Sequence, residues 1–201
     1  MYKRCAKNVK RKGEATFSYV LIIFWEQSKY DLVKIVRGVV VTKMCVAAAN
    51  YIIEKTNEYN KDKKYSEQIS MTCKRLQKLL YFSEIEYMKK NDGQAMFKDE
   101  FHAWPSGPVI PSVYHKFMQY QNGRMSPIEG EHTPLTFEMK EALDHVFYDT
   151  VKIDTFELVK FSHISKGPWD MAYKEDDLEH TQIVSKKHMF EFYKKRKIFV
   201  F

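Results

Sequence analysis

Seven histidines, at 102, 115, 132, 145, 163, 180 and 188, are the residues of this chain best suited to metal or proton-transfer chemistry, and their spacing supplies neither. A zinc centre needs three or four converging nitrogen, sulfur or carboxylate ligands. No two of these histidines stand four apart around an intervening base on one helix. Each one therefore reads as a surface or hydrogen-bonded residue. The carboxylates Glu175, Asp176, Asp177 and Glu179 crowd together, as a solvated acidic loop does. No nucleophile elbow, phosphate-cradling glycine loop or dinucleotide fingerprint is present. These gaps speak against an enzyme, a metal site or a cofactor.

Binding is the chemistry that remains, and Phe101–Tyr114 carries the instruction for it. Three prolines and a glycine fall between Pro105 and Pro111. Each proline ring locks its own φ and pushes the preceding residue out of the helical region, so a rigid turn is expected. Before it, Phe97, Asp99, Phe101 and Ala103 alternate with Met96, Lys98, Glu100, His102 and Trp104, the period of a strand. After it, Pro111 suits a first helical position, and Val113, Phe117 and Tyr120 recur at helical spacing. Burial is the ordinary fate of Trp104 and Trp169. The sharper alternative is an aromatic pocket near Trp104 and Tyr114 that a partner covers, since binding hot spots favour Trp and Tyr in rigid surroundings.

Around this turn the chain has to build its support from helices. Val46, Ala49, Ile52 and Ile53 mark one apolar helical face beginning at Met44. Thr72–Lys90 follows, and Leu76, Leu79, Leu80, Phe82, Ile85, Tyr87 and Met88 cover so much of its circumference that it must be central. Asn91-Asp92-Gly93 should end it, because glycine accepts the left-handed conformation at a helix exit. A loop from Gln121 to Pro134 leads to a helix over about 137–151, with Met139, Leu143, Val146 and Phe147 inward. Asp154 with Glu157 opens the next, which Gly167-Pro168 should stop. A short turn or helix at Trp169–Tyr173 and a last helix over about 185–197 complete a mainly α (α+β) fold: a compact bundle of about five to six helices with a small β element around 95–104.

Net charge is +7 over 201 residues, but it is not spread evenly. Met1–Lys43 holds 10 of the 33 Lys/Arg and 3 of the 26 Asp/Glu, which leaves 23 of each for the rest. A nucleic-acid role is thereby confined to the basic N-terminal arm and to Lys194-Lys195-Arg196-Lys197, because phosphate binding needs clustered cations. Phe17–Trp25 is far shorter than the ~20 residues of a spanning helix. It is followed by Glu26-Gln27-Ser28-Lys29 rather than by a small-residue cleavage site, so neither a signal peptide nor a membrane anchor is expected. Three scattered cysteines, Cys5, Cys45 and Cys73, suit a reducing cytoplasm.

Three ordered motifs tie these pieces to a known pattern. Lys74-Arg75-Leu76-Gln77-Lys78-Leu79-Leu80-Tyr81-Phe82, then Phe97 with Phe101-His102-Ala103-Trp104-Pro105-Ser106-Gly107-Pro108-Val109-Ile110-Pro111-Ser112-Val113-Tyr114, then His163 with Gly167-Pro168-Trp169-Asp170-Met171-Ala172, together resemble the Panacea domain family of SocA-like and GepA-type phage-associated proteins. The likeness runs from about Met44 to Tyr193. It implies a mainly helical bacterial or prophage domain with a small β element. It also implies an antitoxin that neutralises a cognate protein toxin by direct binding; one branch of the family works as an adaptor delivering its toxin to a cytosolic protease. The family has no established catalytic residues to carry over.

The division expected from this is a basic extension at 1–43, either a disordered lineage-specific arm or the product of an upstream start with Met44 as the functional first residue, and a domain at 44–197. The partner-binding or scaffold residues are Lys74, Gln77, Lys78, Tyr81, Phe101, Trp104, Gly107, Pro108, Tyr114, His163, Pro168 and Trp169. The alternative reading is a nucleic-acid-binding regulator of a mobile element that acts through its basic arm.

Overall fold

The computed structural model describes residues 34–36, 39–41, 43–120, 125–129, 133–177 and 179–199. Contacts divide the chain after Tyr30, and all the described elements belong to the second unit, Asp31–Phe201. The arm before residue 34, with its Phe17–Trp25 run and Cys5, lies outside the described residues, as do His132 and parts of the 121–134 loop.

Two short strands, β1 (Lys34–Val36) and β2 (Val39–Val41), pair antiparallel with Ile35 opposite Val40. Seven α-helices follow among the described residues: α1 (Lys43–Asn60), α2 (Cys73–Lys90), α3 (Pro111–Phe117), α4 (Phe137–Thr150), α5 (Thr155–Ser162), α6 (Pro168–Ala172) and α7 (Lys186–Tyr193). A three-stranded antiparallel sheet has the order β4-β3-β5, with β3 at Phe101–Trp104, β4 at Gly107–Val109 and β5 at Ile183–Val184. The architecture is thus mainly helical with a small sheet, as expected, and the short α6 brings the helix count to seven.

Helix α2 is the axis. Of its 18 residues 14 are buried, and α1, α4, α5, α7 and strand β4 all pack on it. Leu76, Leu79, Leu80, Tyr81, Phe82 and Ile85 join Val46, Ile52 and Ile53 of α1 and Leu143 and Val146 of α4 in one core. Such side chains each contribute on the order of 1.5–3 kcal/mol when fully buried, so this helix anchors the whole fold. Its N-cap Thr72 accepts from Arg75 N. At its exit Gly93, at φ +84°, donates to Met88 O at 2.8 Å, as the sequence suggests.

Three expectations are corrected. Residues 96–100 do not extend the strand: Met96 N and Phe97 N both donate at 3.1 Å to the carboxylate of Glu84, and wrapping around that acid costs the segment its ladder. Gly167-Pro168 does not stop α5, which already ends at Ser162 with His163 as its C-cap; Gly167 is the N-cap and Pro168 the first residue of α6. The tail of the last helix beyond Tyr193 is a turn.

Candidate functional site

The Trp104–Gly107 turn joins β3 to β4 with Trp104 opposite Gly107 and Ala103 opposite Pro108. Gly107 sits at φ +96°, where a Cβ is strained. Crowding forbids one as well, since a Cβ there would stand 2.6 Å from Ser162 Oγ and 2.8 Å from Lys78 Nζ. The outer side of β4 is closed by α2. Pro108 has no N–H to offer, its carbonyl accepts from Lys78 Nζ at 2.9 Å, and Ile110 N donates to Gln77 Oε1 at 2.8 Å. Two side chains of one helix thereby serve the strand edge as a neighbouring strand would.

Lys78 is fully buried, and burial, together with the nearby charge of Lys74, lowers its pKa to about 7. Its neighbour His163 is pushed down to about 4 by burial and by the Lys78 charge, against a smaller upward pull from Asp170. The His163 ring therefore stays neutral near pH 7. It stacks on the Trp169 indole at 3.6 Å and 10°, and Tyr173 stacks on the same indole at 4.7 Å. Trp169 Nε1 donates to the Trp104 carbonyl at 2.9 Å, which pins the hairpin to α6. Burial is thus the outcome for Trp169, while Trp104 stays half-exposed, its ring edge-on to Tyr114 at 5.0 Å and tilted against His180 at 6.0 Å.

These elements enclose a groove of about 550 Å³. Its walls are the start of α2 (Thr72, Cys73, Lys74, Gln77 and Lys78), the hairpin (Trp104, Pro105, Ser106 and Val109), Tyr114 from α3 and Thr155 from α5. Five of the residues singled out from the sequence meet there: Lys74, Gln77, Lys78, Trp104 and Tyr114. Gly107 and Pro108 lie buried behind the wall, and His163, Pro168 and Trp169 brace it from α5 and α6. Tyr81 and Phe101 are elsewhere in role: both are fully buried and meet edge-to-face at 5.5 Å in the core, so they scaffold and cannot touch a partner.

Sequence reasoning missed the polar fastenings of α2. Arg75 donates to Thr150 O at 2.8 Å and Ile153 O at 2.6 Å, satisfying the carbonyl end of α4, and burial lowers its pKa to about 10. Glu84, with no exposed surface, is raised to about 7 by burial, opposed by Lys186 at 3.6 Å and by the Phe97 and Met96 amides. The usable signal was present: on a helix apolar over most of its circumference, the charged residues of the middle turns are buried charges.

A second hollow of about 540 Å³ lies between α1, α4 and the 127–135 segment, where Asn50 and Ile128 exchange two hydrogen bonds. The acidic loop is held together from inside, with Asp177 accepting from Thr181 N and Gln182 N. Among the described residues no group of three His, Cys, Asp or Glu could hold a metal ion, and no helix is long and apolar enough to cross a membrane.

Residues 76–170, which include the α2 fastenings, the hairpin and the Trp169 brace, match the family described as Antitoxin SocA-like, Panacea domain. That segment is similar to a Panacea domain. Over 121 residues the chain is 29% identical to Antitoxin SocA of Caulobacter vibrioides (strain NA1000 / CB15N), an alignment covering 55% of this chain and 64% of that one. The chain thus spans a little under two thirds of the curated relative's length. No solved structure matches.

Proposed function

We propose that this chain is an antitoxin, a binding protein that neutralises a cognate protein toxin by covering it with the face around the Trp104–Tyr114 groove. The observation that carries the reading is the rigid aromatic groove itself, built from the residues of the family motif and braced from four helices, with no catalytic or metal constellation in its walls. A half-exposed Trp beside a Tyr on a locked hairpin is the composition of a binding hot spot. Likeness to an antitoxin supports a toxin as the partner. A stable interface buries about 1,600 Å² in total, so the groove and its rim can supply the centre of one face. The cytoplasm is the compartment this reading requires, and handing the toxin to a protease there is its natural extension.

Co-expression tests it. The wild-type chain should relieve the lethality of a small toxic reading frame beside its gene, and Trp104→Ala should restore lethality with the helical circular-dichroism spectrum unchanged. Failure of the wild type to relieve any neighbouring product would remove the reading. The basic segment 1–43 favours a second one, regulation through nucleic acid. Binding of that kind would weaken by orders of magnitude between about 50 and 200 mM salt.

A further inference from the structure

We infer that the turn closing α7 is a binding surface for the phosphodiester backbone of a nucleic acid, separate from the Trp104 groove. From Met44 onward 23 Lys/Arg stand against 23 Asp/Glu, yet Lys186–Lys197 carries six cations and one acid. The neutral body is therefore polarised. Folding adds to the excess: Lys89 Nζ, from the last turn of α2, donates to Arg196 O at 3.1 Å, which brings Lys89 alongside Lys194-Lys195-Arg196-Lys197.

Part of this charge is structural. Lys186 is spent on Glu84, Lys89 and Lys90 share Glu86, Lys90 also reaches Glu141, and Lys194 pairs with Glu191. Cations near the C-terminal ends of α2 and α7 also answer the negative ends of those helix dipoles. Lys195, Arg196 and Lys197 remain at this end: all three are exposed, and among the described residues none has a carboxylate within ion-pair distance. The Arg196 guanidinium lies over the Phe192 ring, 4.4 Å from its centroid, and makes no hydrogen bond to the described residues. An arginine held over a ring keeps its N–H fork for an outside acceptor, and that fork matches a phosphate.

These cations are held in place rather than trailing from a loose end. Arg196 N donates to Tyr193 O at 2.9 Å, Lys89 fixes the carbonyl of the same residue, Ile198 is buried, and Phe199 packs edge-on against Phe82 at 4.9 Å and Phe161 at 5.5 Å. Three uncompensated cations in a row call for several negative charges close together. A phosphodiester chain supplies one at every nucleotide, while carboxylates on a folded protein are spaced by other side chains. A lipid surface fits less well, because a peripheral site needs apolar side chains to insert and none of the exposed large ones lies on α7 or its closing turn.

The test measures the anisotropy of a labelled oligothymidylate and of a labelled duplex against the full-length chain between about 50 and 200 mM salt. Lys195→Gln/Arg196→Gln/Lys197→Gln should lower the magnitude of the log–log salt slope by about 2–3, the counterions that three phosphate contacts release. Lys61→Gln/Lys64→Gln/Lys152→Gln removes the same charge from exposed lysines in the α1–α2 and α4–α5 connections and should leave the slope unchanged. Residues 1–43 are common to all three proteins, so their charge cancels in the comparison. In nitrogen-15 spectra of the wild type, the Arg196 Nε–H signal should move on adding the oligothymidylate while the Trp104 indole signal stays. No binding by the wild type, or an unmoved Arg196 signal, would overturn the proposal, as would an equal or tighter response to poly-glutamate or to phosphatidylserine vesicles. Binding with the same slope in the first triple variant would also overturn it, and would leave any nucleic-acid role to the segment 1–43.

Discussion

The two ends of α2 handle buried charge in opposite ways. Toward its C-terminus the acids are answered by cations: Glu84 by Lys186, which also donates to Phe97 O, and Glu86 by Lys89 and Lys90. Toward its N-terminus the cations Arg75 and Lys78 donate to main-chain carbonyls, those of Thr150, Ile153 and Pro108, and the Asp154 carboxylate acts on Arg75 without a direct ion pair. A carbonyl satisfies a donor without neutralising its charge. The acidic end is therefore held by opposite charges, whereas the basic end is held by main-chain dipoles.

Breaking the acidic end should have the largest effect. Glu84→Ala strands the Met96 and Phe97 amides and leaves Lys186 beside a cavity, so a loss of about 3–5 kcal/mol is expected in denaturant unfolding.

The same contrast sharpens into a pH profile. Glu84 has a folded pKa raised to about 7 from 4.5, so the native state binds the extra proton and stability attributable to this group falls as pH rises from about 4.5 to 7. Lys78 has a folded pKa lowered to about 7 from 10.5, so the unfolded state binds the extra proton and stability rises between about 7 and 10.5. His163, lowered to about 4 from 6.5, adds a rise of its own between those values. The Glu84 and Lys78 arms are each on the order of 3 kcal/mol or more and are read as differences between proteins. Glu84→Gln should remove the lower falling component, and Lys78→Met the upper rising one. Urea midpoints at half-unit pH steps would measure both.

Gly107→Ala comes next, at about 2–3 kcal/mol, because the new methyl meets Ser162 and Lys78 on a backbone already in the left-handed region. Trp104→Ala should lose about 2 kcal/mol or more of toxin affinity by calorimetry. Asp154→Ala removes the N-cap of α5 and should cost only about 1 kcal/mol, since the cap is exposed.

What could be read in advance divides along the range of the forces involved. α2 was legible because its apolar residues run around the helix, and Asp154 because a cap is set by its immediate neighbours. The groove was legible in part: the motif named Lys74, Gln77, Lys78, Trp104 and Tyr114, and they converge. Residues 96–100 misled because their alternation is a strand's, while their amides are claimed by an acid twelve and thirteen positions earlier. Ile183 and Val184 were invisible as β5, since two residues carry no period and their pairing with Phe101 and His102 is entirely long-range. Tyr81 and Phe101 were placed in the motif by type, and only packing shows that they face the core.

The closure of β4 by Gln77 and Lys78 reaches beyond stability. An open hairpin edge invites any extended polypeptide to zip on through its main chain, whatever its sequence, and that is a route to aggregation. Here the groups that would greet such a guest are a proline and a carbonyl and an amide already in use. Any partner docking beside this hairpin would have to be told apart by its side chains. Exchanging a few residues around the rim would then change which partner fits while the hairpin itself stays unchanged.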